Sequence, residues 1–433
     1  MVHRYERIAT RVHASDAHRY RESRSDRSLR WRTSRSRSSL TAVTAFRFAV
    51  VAALAVTALA AAPATAQPLA EFYSTPVIDA GAHAGGDIVR RSHVGPPLGE
   101  GLGVDIERIL YTSTDTHGDP MVVSGYTMTP QAPWPGPGPR PVIAYAPGTS
   151  GMADRCAGSA VLGTIGSSPA VLPLLLAGYA VAATDYRGLG TPGGHTYLNR
   201  LDAGHALLDV ARAGVGNTGA PVVLFGYSEG GHAAGSAAEL ESSYAPELDI
   251  RGSYVGAPPA DPSLNVDNLD NSSLAPALLY AVDGLVNAYP ESADAILRQF
   301  NPAGRELLDA SQNWCSTDPA ANRAFRSADI TSDGRSLGEN LKDEPAASLI
   351  ALNAVGYGRP SAPVLLSQSM SDDTVPVQQS RTLRDRWTAA GFTDLTYIEY
   401  PIPSVPVPGA NHAPGGLIAY ADVMPFIARV LAS

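Results

Sequence analysis

The sequence predicts an α/β fold in which a helical insertion interrupts a mostly parallel central sheet. Three observations support this class. Short apolar runs typical of buried strands alternate with helix-like segments. The motif Gly226-Tyr-Ser-Glu-Gly230 lies between one such strand and one such helix. The alternation stops between residues 258 and 360, where helix-like segments follow one another.

The first 66 residues differ in composition from the rest and are predicted to be an Arg- and Ser-rich extension with a secretory signal peptide. They hold 12 of the 32 basic and 4 of the 41 acidic side chains. Residues 48–62 are apolar or small, and Ala64-Thr65-Ala66 forms an A-x-A cleavage site before Gln67. An apolar run of about 15 residues is short for a membrane span, which needs roughly 20, although a retained anchor is the alternative. We therefore expect a secreted protein without a stable membrane anchor after cleavage.

The remaining chain is acidic and contains two cysteines. Without residues 1–66 it keeps 20 basic and 37 acidic side chains, a formal charge of −17, which argues against nucleic acid as a partner. In an oxidising compartment, Cys156 and Cys315 are most simply explained as one disulfide closing a loop of about 160 residues. Two free thiols or a metal site are the alternatives, and zinc is disfavoured because no histidine lies at short spacing.

Strands and helices are assigned from apolar periodicity. Residues 72–103, rich in proline and glycine, lack helical periodicity and are predicted to cross the surface. An antiparallel hairpin is expected at 104–111 and 121–128. Buried strands are predicted at 142–146, 179–184, 222–225, 252–257 and 363–368, with a final strand at 395–400. Helices are predicted at 170–178, 201–213, 231–240, 274–288, 293–300, 305–313 and 377–390, with one more after residue 412.

Ser228, at the centre of Gly226-Tyr-Ser-Glu-Gly230, is the predicted nucleophile. In a G-x-S-x-G elbow the serine occupies a strained turn, and the residues two before and two after it are pressed together, so both are glycine. The pattern also arises by chance in chains rich in glycine and serine. The strand before it and the helix after it favour the elbow.

Candidate acids and a candidate base follow Ser228 in the order nucleophile, acid, histidine that this arrangement requires. Asp372 and Asp373 both come directly after the strand at 363–368, where a carboxylate can orient a histidine. His412 lies in a glycine-rich loop after the last predicted strand and is the predicted base. From the residues alone, either aspartate could be the acid that orients His412.

Other polar residues are expected to be structural. His205 and His232 lie in helices, and Asp185 follows the strand at 179–184, where an aspartate usually braces the loop through Arg187 or backbone amides. His195, in a glycine-rich loop, is the one rival to His412, which topology favours.

An oxyanion hole is predicted from two pieces of backbone. The loop at 147–151 follows the strand at 142–146, where N–H groups would face a substrate carbonyl, although a plain glycine turn is the alternative. The N–H of Glu229, the residue after the nucleophile, is the second expected donor.

Taken together, these motifs resemble the secretory lipase family, the lipase A type of α/β hydrolase. The resemblance rests on the elbow, Asp372-x-x-Val-Pro376, His412 before a C-terminal helix, the start Phe72-Tyr-Ser-Thr-Pro76 and the helical insertion. It covers most of residues 70–433. It implies the α/β-hydrolase fold, hydrolysis of fatty-acid esters, a lid that holds the acyl chain, and no cofactor.

The resemblance also implies residue roles. In that family two residues separate the acid from Val-Pro, which indicates Asp372 rather than Asp373. A family cysteine pair joins the oxyanion region to the lid, and Cys156 and Cys315 match it. The family's second disulfide, near the histidine, has no counterpart, so the His412 loop is expected to be held by packing. Where the family has an acidic residue in the oxyanion loop, this chain has Thr149, the expected first donor.

The expected organisation is a hydrolase core at 67–257 and 361–433 with a lid at 258–360. The expected activity is secreted serine ester hydrolysis of fatty-acyl esters such as acylglycerols, with a lipid or ester substrate that a lipid–water interface would present. No metal is expected. The alternatives are acyl transfer or peptide hydrolysis on the same triad, and a non-catalytic secreted binding module.

Overall fold

The computed structural model describes residues 71–73, 79–94, 103–162, 170–264 and 269–433. The predicted extension and signal peptide, residues 1–66, lie outside the described residues. Within these ranges one nine-stranded sheet has the order β1-β2-β3-β5-β4-β6-β7-β8-β9. The strands are β1 (Ile88–His93), β2 (Val104–Thr114), β3 (Pro120–Pro130), β4 (Val142–Ala146), β5 (Ala180–Thr184), β6 (Val222–Tyr227), β7 (Ile250–Gly256), β8 (Val364–Ser369) and β9 (Leu395–Tyr400).

The first three strands are antiparallel. β2 and β3 form the predicted hairpin, paired from Val104 with Pro130 to Thr114 with Pro120. β1 pairs with β2 at the edge of the sheet, and it is a strand that the sequence analysis did not assign within residues 72–103. No residue of β1 is fully buried, because this edge strand is formed by backbone pairing to one neighbour rather than by an apolar run.

The rest of the sheet is parallel, so the residues that follow the carboxyl ends of its strands lie along one edge. β3 is antiparallel to β5, and every neighbouring pair from β5 to β9 is parallel. β4 and β8 are buried along their whole length: β4 is a continuous apolar run, as predicted, whereas β8 also buries Ser367, Gln368 and Ser369. Ser228 follows β6, Asp372 follows β8 and His412 follows β9, so the carboxyl edge of the sheet carries all three.

Helices cover both faces of the sheet. On one face Ala206, Ala233 and Trp387 belong to the same apolar cluster, and on the other Leu174 and Val423 do. The helices are α1 (Leu172–Leu176), α2 (Arg200–Val215), α3 (Glu229–Tyr244), α4 (Pro276–Ala288), α5 (Ala293–Leu297), α6 (Pro302–Ser311), α7 (Leu337–Asn340), α8 (Ala346–Leu352), α9 (Val377–Ala389) and α10 (Ala413–Ala432).

Helices α4 to α8 lie between β7 and β8 in the chain and have their own apolar cluster, formed by buried residues from Leu269 to Ile350. This region is attached to the loop after β4. The Cys156–Cys315 disulfide forms as predicted, across 159 positions of sequence. Beside it, Met152 N donates to Trp314 O at 2.8 Å and Ser316 N donates to Ser150 O at 2.8 Å.

Helix α10 is long and apolar enough to cross a membrane by composition alone. Its buried residues include Ala419, Val423, Ile427 and Val430, which belong to the apolar cluster on one face of the sheet. Contacts with β7 and β8 therefore account for the apolar stripe of this helix.

Candidate active site

Ser228 occupies the tight turn between β6 and α3, with φ 64° and ψ −124°. A non-glycine residue in this region is strained. A Cβ on Gly226 would lie 1.8 Å from the Gly230 carbonyl oxygen, and one on Gly230 would lie 2.0 Å from the Ala146 carbonyl oxygen. The crowding around the serine therefore requires glycine at both positions, as the motif predicts.

Asp372 accepts a hydrogen bond from His412, with 2.7 Å between Oδ2 and Nδ1. The same oxygen accepts from Gln368 Nε2 at 2.9 Å, while Oδ1 accepts from the backbone N–H groups of Thr374 and Val375 at 3.0 and 2.9 Å. Because every partner donates to a carboxylate, His412 carries a proton on Nδ1. The other ring nitrogen, Nε2, is then the proton acceptor of the neutral imidazole.

The imidazole of His412 lies beside the elbow. Tyr227, the residue before Ser228, donates from its hydroxyl to His412 O at 2.7 Å, and the two rings have centroids 5.1 Å apart. His412 Nε2 is buried and has no hydrogen-bond partner in the described part of the chain, so it is not bonded to Ser228 Oγ. Catalytic hydrogen bonds are often long in a site without substrate.

Asp373 holds the loop before α10 rather than the imidazole. Its Oδ2 accepts from Gly409 N at 3.0 Å and from Asn411 Nδ2 at 2.8 Å. Asn411 Oδ1 in turn accepts from Val405 N at 2.7 Å. The expectation that packing alone holds the His412 loop is therefore wrong, since these bonds close it. Asn411 was missed because its partners lie outside any local motif.

The loop predicted to supply an oxyanion donor lies against the elbow. A Cβ on Gly148 would be 3.8 Å from Ser228 Cβ. Thr149 Oγ1 is hydrogen-bonded to Tyr197 OH at 3.1 Å, and Tyr186 OH donates to Pro147 O at 2.6 Å. Glu229, the other predicted donor, is the first residue of α3, where backbone N–H groups have no partner within the helix.

His195, the rival to His412, is hydrogen-bonded at both ring nitrogens. Its Nδ1 is 2.9 Å from Arg187 O and its Nε2 is 2.9 Å from Glu229 Oε1. The His195 and Glu229 side chains are only 2% and 4% exposed. Sequence reasoning missed this pair, although an acidic residue directly after the nucleophile was a visible signal.

His205 and His232 have structural partners, as expected. His205 Nδ1 lies 2.9 Å from Thr114 O, and its ring stacks on Tyr244 with centroids 3.9 Å apart. His232 Nε2 lies 2.8 Å from Asn353 O, and burial lowers the pKa of His232 to about 4. Both imidazoles are engaged in structural contacts, so neither is a candidate for the catalytic base.

Asp185 braces its loop as predicted, and of the two predicted kinds of partner it meets a backbone amide rather than Arg187. It accepts from Ser124 Oγ at 2.7 Å and from Ser159 N at 2.9 Å, and its burial raises the pKa of this carboxyl group. Arg187 instead forms ion pairs with Asp202 at 3.1 Å and Asp115 at 3.4 Å. The predicted bracing through a backbone amide is confirmed, and the alternative partner, Arg187, is engaged by two other carboxylates.

Within the described ranges, no three His, Cys, Asp or Glu side chains are grouped so that they could hold a metal ion.

Comparisons with known proteins show what the chain is similar to. A family model described as secretory lipase matches residues 164–416. A probable inactive lipase of Mycobacterium tuberculosis is 29% identical over 315 residues, 68% of each chain. A secreted triacylglycerol lipase of Malassezia furfur is 28% identical over 232 residues, which cover 52% of this chain and 59% of that protein. The structure is similar to Candida antarctica lipase A, with a TM-score of 0.73, 23% identity and coverage of 85% and 87%.

The family match spans more than half of the sequence. The chain therefore belongs to the secretory lipase family and has the α/β-hydrolase fold.

Proposed function

We propose that the chain is a secreted serine hydrolase that cleaves fatty-acyl esters, such as acylglycerols, through an acyl-enzyme on Ser228. The observation that carries this proposal is the 2.7 Å hydrogen bond from His412 Nδ1 to Asp372, formed beside a serine at φ 64°. A strained serine next to an oriented imidazole is the arrangement that nucleophilic acyl transfer needs.

In the proposed reaction, Ser228 Oγ attacks the ester carbonyl while His412 Nε2 accepts its proton. The Asp372 carboxylate, buried and bonded to Nδ1, stabilises the imidazolium that forms. The backbone N–H of Glu229 and a donor at Thr149 hold the oxyanion, each contributing about 3 to 4 kcal/mol in comparable sites. His412 then protonates the leaving alcohol, and a water molecule activated by the same imidazole releases the acid.

The helices between β7 and β8 are proposed to form the lid over this site, across residues 258–360. Two contacts support the assignment. The Cys156–Cys315 disulfide attaches the insertion to the segment after the oxyanion loop. The ring of Tyr280, on α4, meets the ring of Tyr197 with centroids 6.0 Å apart, and Tyr197 is bonded to Thr149. The insertion thus contacts the residues next to the elbow.

Apolar side chains on the segments that carry the acid and the base favour a lipid substrate. Met370 precedes Asp372, and the others flank His412; all five are exposed: Met370, Val405, Val407, Leu417 and Ile418. Exposed apolar side chains near a catalytic site are typical of surfaces that meet lipid. We propose that this part of the molecule faces the lipid–water interface during turnover.

A non-catalytic secreted protein is the principal rival, since the Mycobacterium tuberculosis relative is named a probable inactive lipase. The oriented Asp372–His412 pair and the unpartnered Nε2 favour an active enzyme. Acyl transfer and peptide hydrolysis would use the same three residues. Added alcohol separates transfer from hydrolysis, because a transferase would form new ester faster than free acid.

The test is hydrolysis of p-nitrophenyl esters from acetate to palmitate by the purified protein, with Ser228→Ala alongside. We expect Ser228→Ala to lower turnover by roughly 10⁴-fold or more without unfolding the protein. Ser243→Ala, an exposed serine on α3, is the matched control and should retain turnover. A serine-dependent optimum at medium or long chains supports a lipase, and activity confined to acetate or butyrate supports a short-acyl esterase. A fully active Ser228→Ala would contradict the proposal.

A further inference from the structure

Glu229 places a carboxylate directly beside the proposed nucleophile. It follows Ser228 in sequence, and its side chain is 4% exposed. Ester hydrolysis develops negative charge on the carbonyl oxygen next to the Glu229 backbone N–H. An uncompensated carboxylate this close, shielded from water, would repel that charge and raise the barrier. A hydrolase with glutamate at this position therefore needs a means of neutralising it.

The hydrogen bonds of His195 show how the charge is compensated. Its Nδ1 faces the carbonyl oxygen of Arg187 at 2.9 Å, and since a carbonyl only accepts, Nδ1 carries a proton. Its Nε2 faces Glu229 Oε1 at 2.9 Å. A neutral imidazole would direct a lone pair at a carboxylate oxygen here, so a second proton must lie between the two atoms. Imidazole is ordinarily the more basic group, which places this proton on His195.

None of the described groups that contact this pair supplies a free cation to it. Tyr186 stacks on His195 with centroids 5.8 Å apart, and Tyr197 meets it edge-on at 5.9 Å. Burial raises the pKa of both phenols far above neutral pH, so both stay uncharged. From α4, the neutral side chain of Asn287 donates to His195 O at 3.0 Å. The Arg187 guanidinium is paired with Asp202 and Asp115.

The same segment also contacts the other half of the predicted oxyanion hole. Tyr186 OH donates to Pro147 O, and Tyr197 OH is bonded to Thr149 Oγ1. The segment after β5, from Tyr186 to Tyr197, therefore bonds the 147–149 loop through two tyrosines and the elbow through His195. Because this segment contacts both parts of the predicted oxyanion hole, a change in the charge of His195 would act on the active site.

We propose that His195 is a positioning residue whose imidazolium neutralises the Glu229 carboxylate behind the oxyanion hole and fixes that side chain. This inference rests on the proposed function, because it concerns the oxyanion formed by attack of Ser228. His195 takes no part in proton transfer to substrate. Its role is to cancel the charge of Glu229, so that this carboxylate does not oppose the oxyanion when it forms.

The test compares H195Q with the double variant H195Q/E229Q on the ester that the wild-type protein hydrolyses best. Glutamine at 195 can still donate an amide N–H to Glu229, so H195Q removes the cation while leaving a hydrogen-bond donor. We expect kcat of H195Q to fall about tenfold to a hundredfold at pH 8 with little change in KM. H205Q, which alters another stacked structural histidine, is the matched control and should retain kcat.

The double variant isolates the charge from the packing. In H195Q/E229Q no carboxylate remains to be neutralised, so we expect it to regain most of the kcat that H195Q loses at pH 8. A purely structural role for His195 would make the double variant at least as slow as H195Q, at every pH. Either that result, or an H195Q kcat within twofold of wild type at pH 8, would overturn the inference.

A second measurement does not depend on turnover or on the folding of a variant. In wild-type protein labelled with ¹⁵N-histidine, His195 should retain protons on both ring nitrogens at pH 8, and E229Q should change that signal. Absence of any doubly protonated histidine at pH 8 would overturn the inference even if the protein hydrolyses esters. An active Ser228→Ala would instead contradict the proposed function, so the two failures are distinguishable.

Discussion

The loop that carries Ser228 and the loop that carries His412 lie at the same edge of the sheet but are held by different means. Backbone crowding holds the elbow, where Gly226 and Gly230 leave no room for a Cβ. Side-chain hydrogen bonds hold the histidine loop, with Asp373 and Asn411 38 positions apart in sequence. A conformation set by local crowding is encoded in a short motif, whereas one set by distant partners is not. The two loops should therefore fail in different ways when they are altered.

The largest difference is expected between the two adjacent aspartates. Asp372→Asn should lower kcat by about 10⁴-fold, because an amide neither fixes the tautomer of His412 nor stabilises its imidazolium. Asp373→Asn should cost about tenfold or less, since an amide oxygen can still accept from Gly409 and Asn411. Steady-state ester hydrolysis by both variants measures this, and a reversed order would reassign the acid.

The next largest effect is expected from a substitution that crowds the turn carrying Ser228. In Gly230→Ala the new Cβ would meet the Ala146 carbonyl oxygen, a backbone atom that no rotamer change can move. We expect kcat/KM to fall about 10² to 10³-fold because the serine is displaced. Small misplacements of reacting groups cost large factors in rate. Gly219→Ala is the control: its φ of +64° strains an alanine there, but open space surrounds it and it lies in the loop before β6, so turnover should be retained. Wild-type kcat/KM in Gly230→Ala would show that the elbow tolerates the clash.

Lowering the pH should reduce the free energy of unfolding through His232, on α3. Burial lowers the pKa of His232 to about 4, against about 6.5 in an unfolded chain. Between these pH values the unfolded chain binds a proton that the folded chain excludes. The stability present above pH 6.5 is therefore lost as pH falls toward 4, by on the order of 3 kcal/mol.

Urea unfolding at pH 7 and pH 4.5 checks this dependence. His232→Gln, which can still donate to Asn353 O, should lose less stability than wild type over this range. His83→Gln, an exposed histidine, should behave as wild type does. If wild type and His232→Gln lost the same free energy of unfolding between pH 7 and pH 4.5, the assignment to His232 would be contradicted.

The smallest expected effect is on the histidine loop. Asn411→Ala removes the bonds to Asp373 and Val405 but none of the reacting groups. We expect kcat to fall about tenfold with KM little changed, because His412 is then less well held. Asn301→Ala, which removes a helix cap from the insertion, should lower the melting temperature without this loss of kcat. Equal kcat values for the two variants would show that the histidine loop needs no clamp.

The difference between the loops also explains what could be predicted from sequence. The strands at 142–146 and 222–227 and the elbow between β6 and α3 follow from apolar runs and glycine spacing, both local properties. The order of Ser228, Asp372 and His412 along the chain, together with their strand ends, was enough to place them at one edge. Cys156 and Cys315 were paired because the sequence offers no other cysteine.

What sequence reasoning missed depends on contacts between distant segments. β1 is an edge strand with arginines in place of an apolar run, and only its pairing with β2 defines it. The Asn411 clamp and the His195–Glu229 pair each join residues more than five positions apart through single side-chain bonds. Such bonds leave no periodic pattern in a single sequence. The choice between Arg187 and backbone amides as partners of Asp185 stayed open for the same reason, because sequence proximity does not determine which carboxylate an arginine meets.

The central claim is that Ser228 is the nucleophile, and covalent trapping tests it most directly. The purified protein is treated with a fluorophosphonate, digested, and analysed by mass spectrometry. The account predicts one adduct, on the peptide that contains Ser228, absent from Ser228→Ala and strongly slowed in Asp372→Asn. Lack of any adduct on wild-type protein, or an adduct on a different residue that persists in Ser228→Ala, would contradict it.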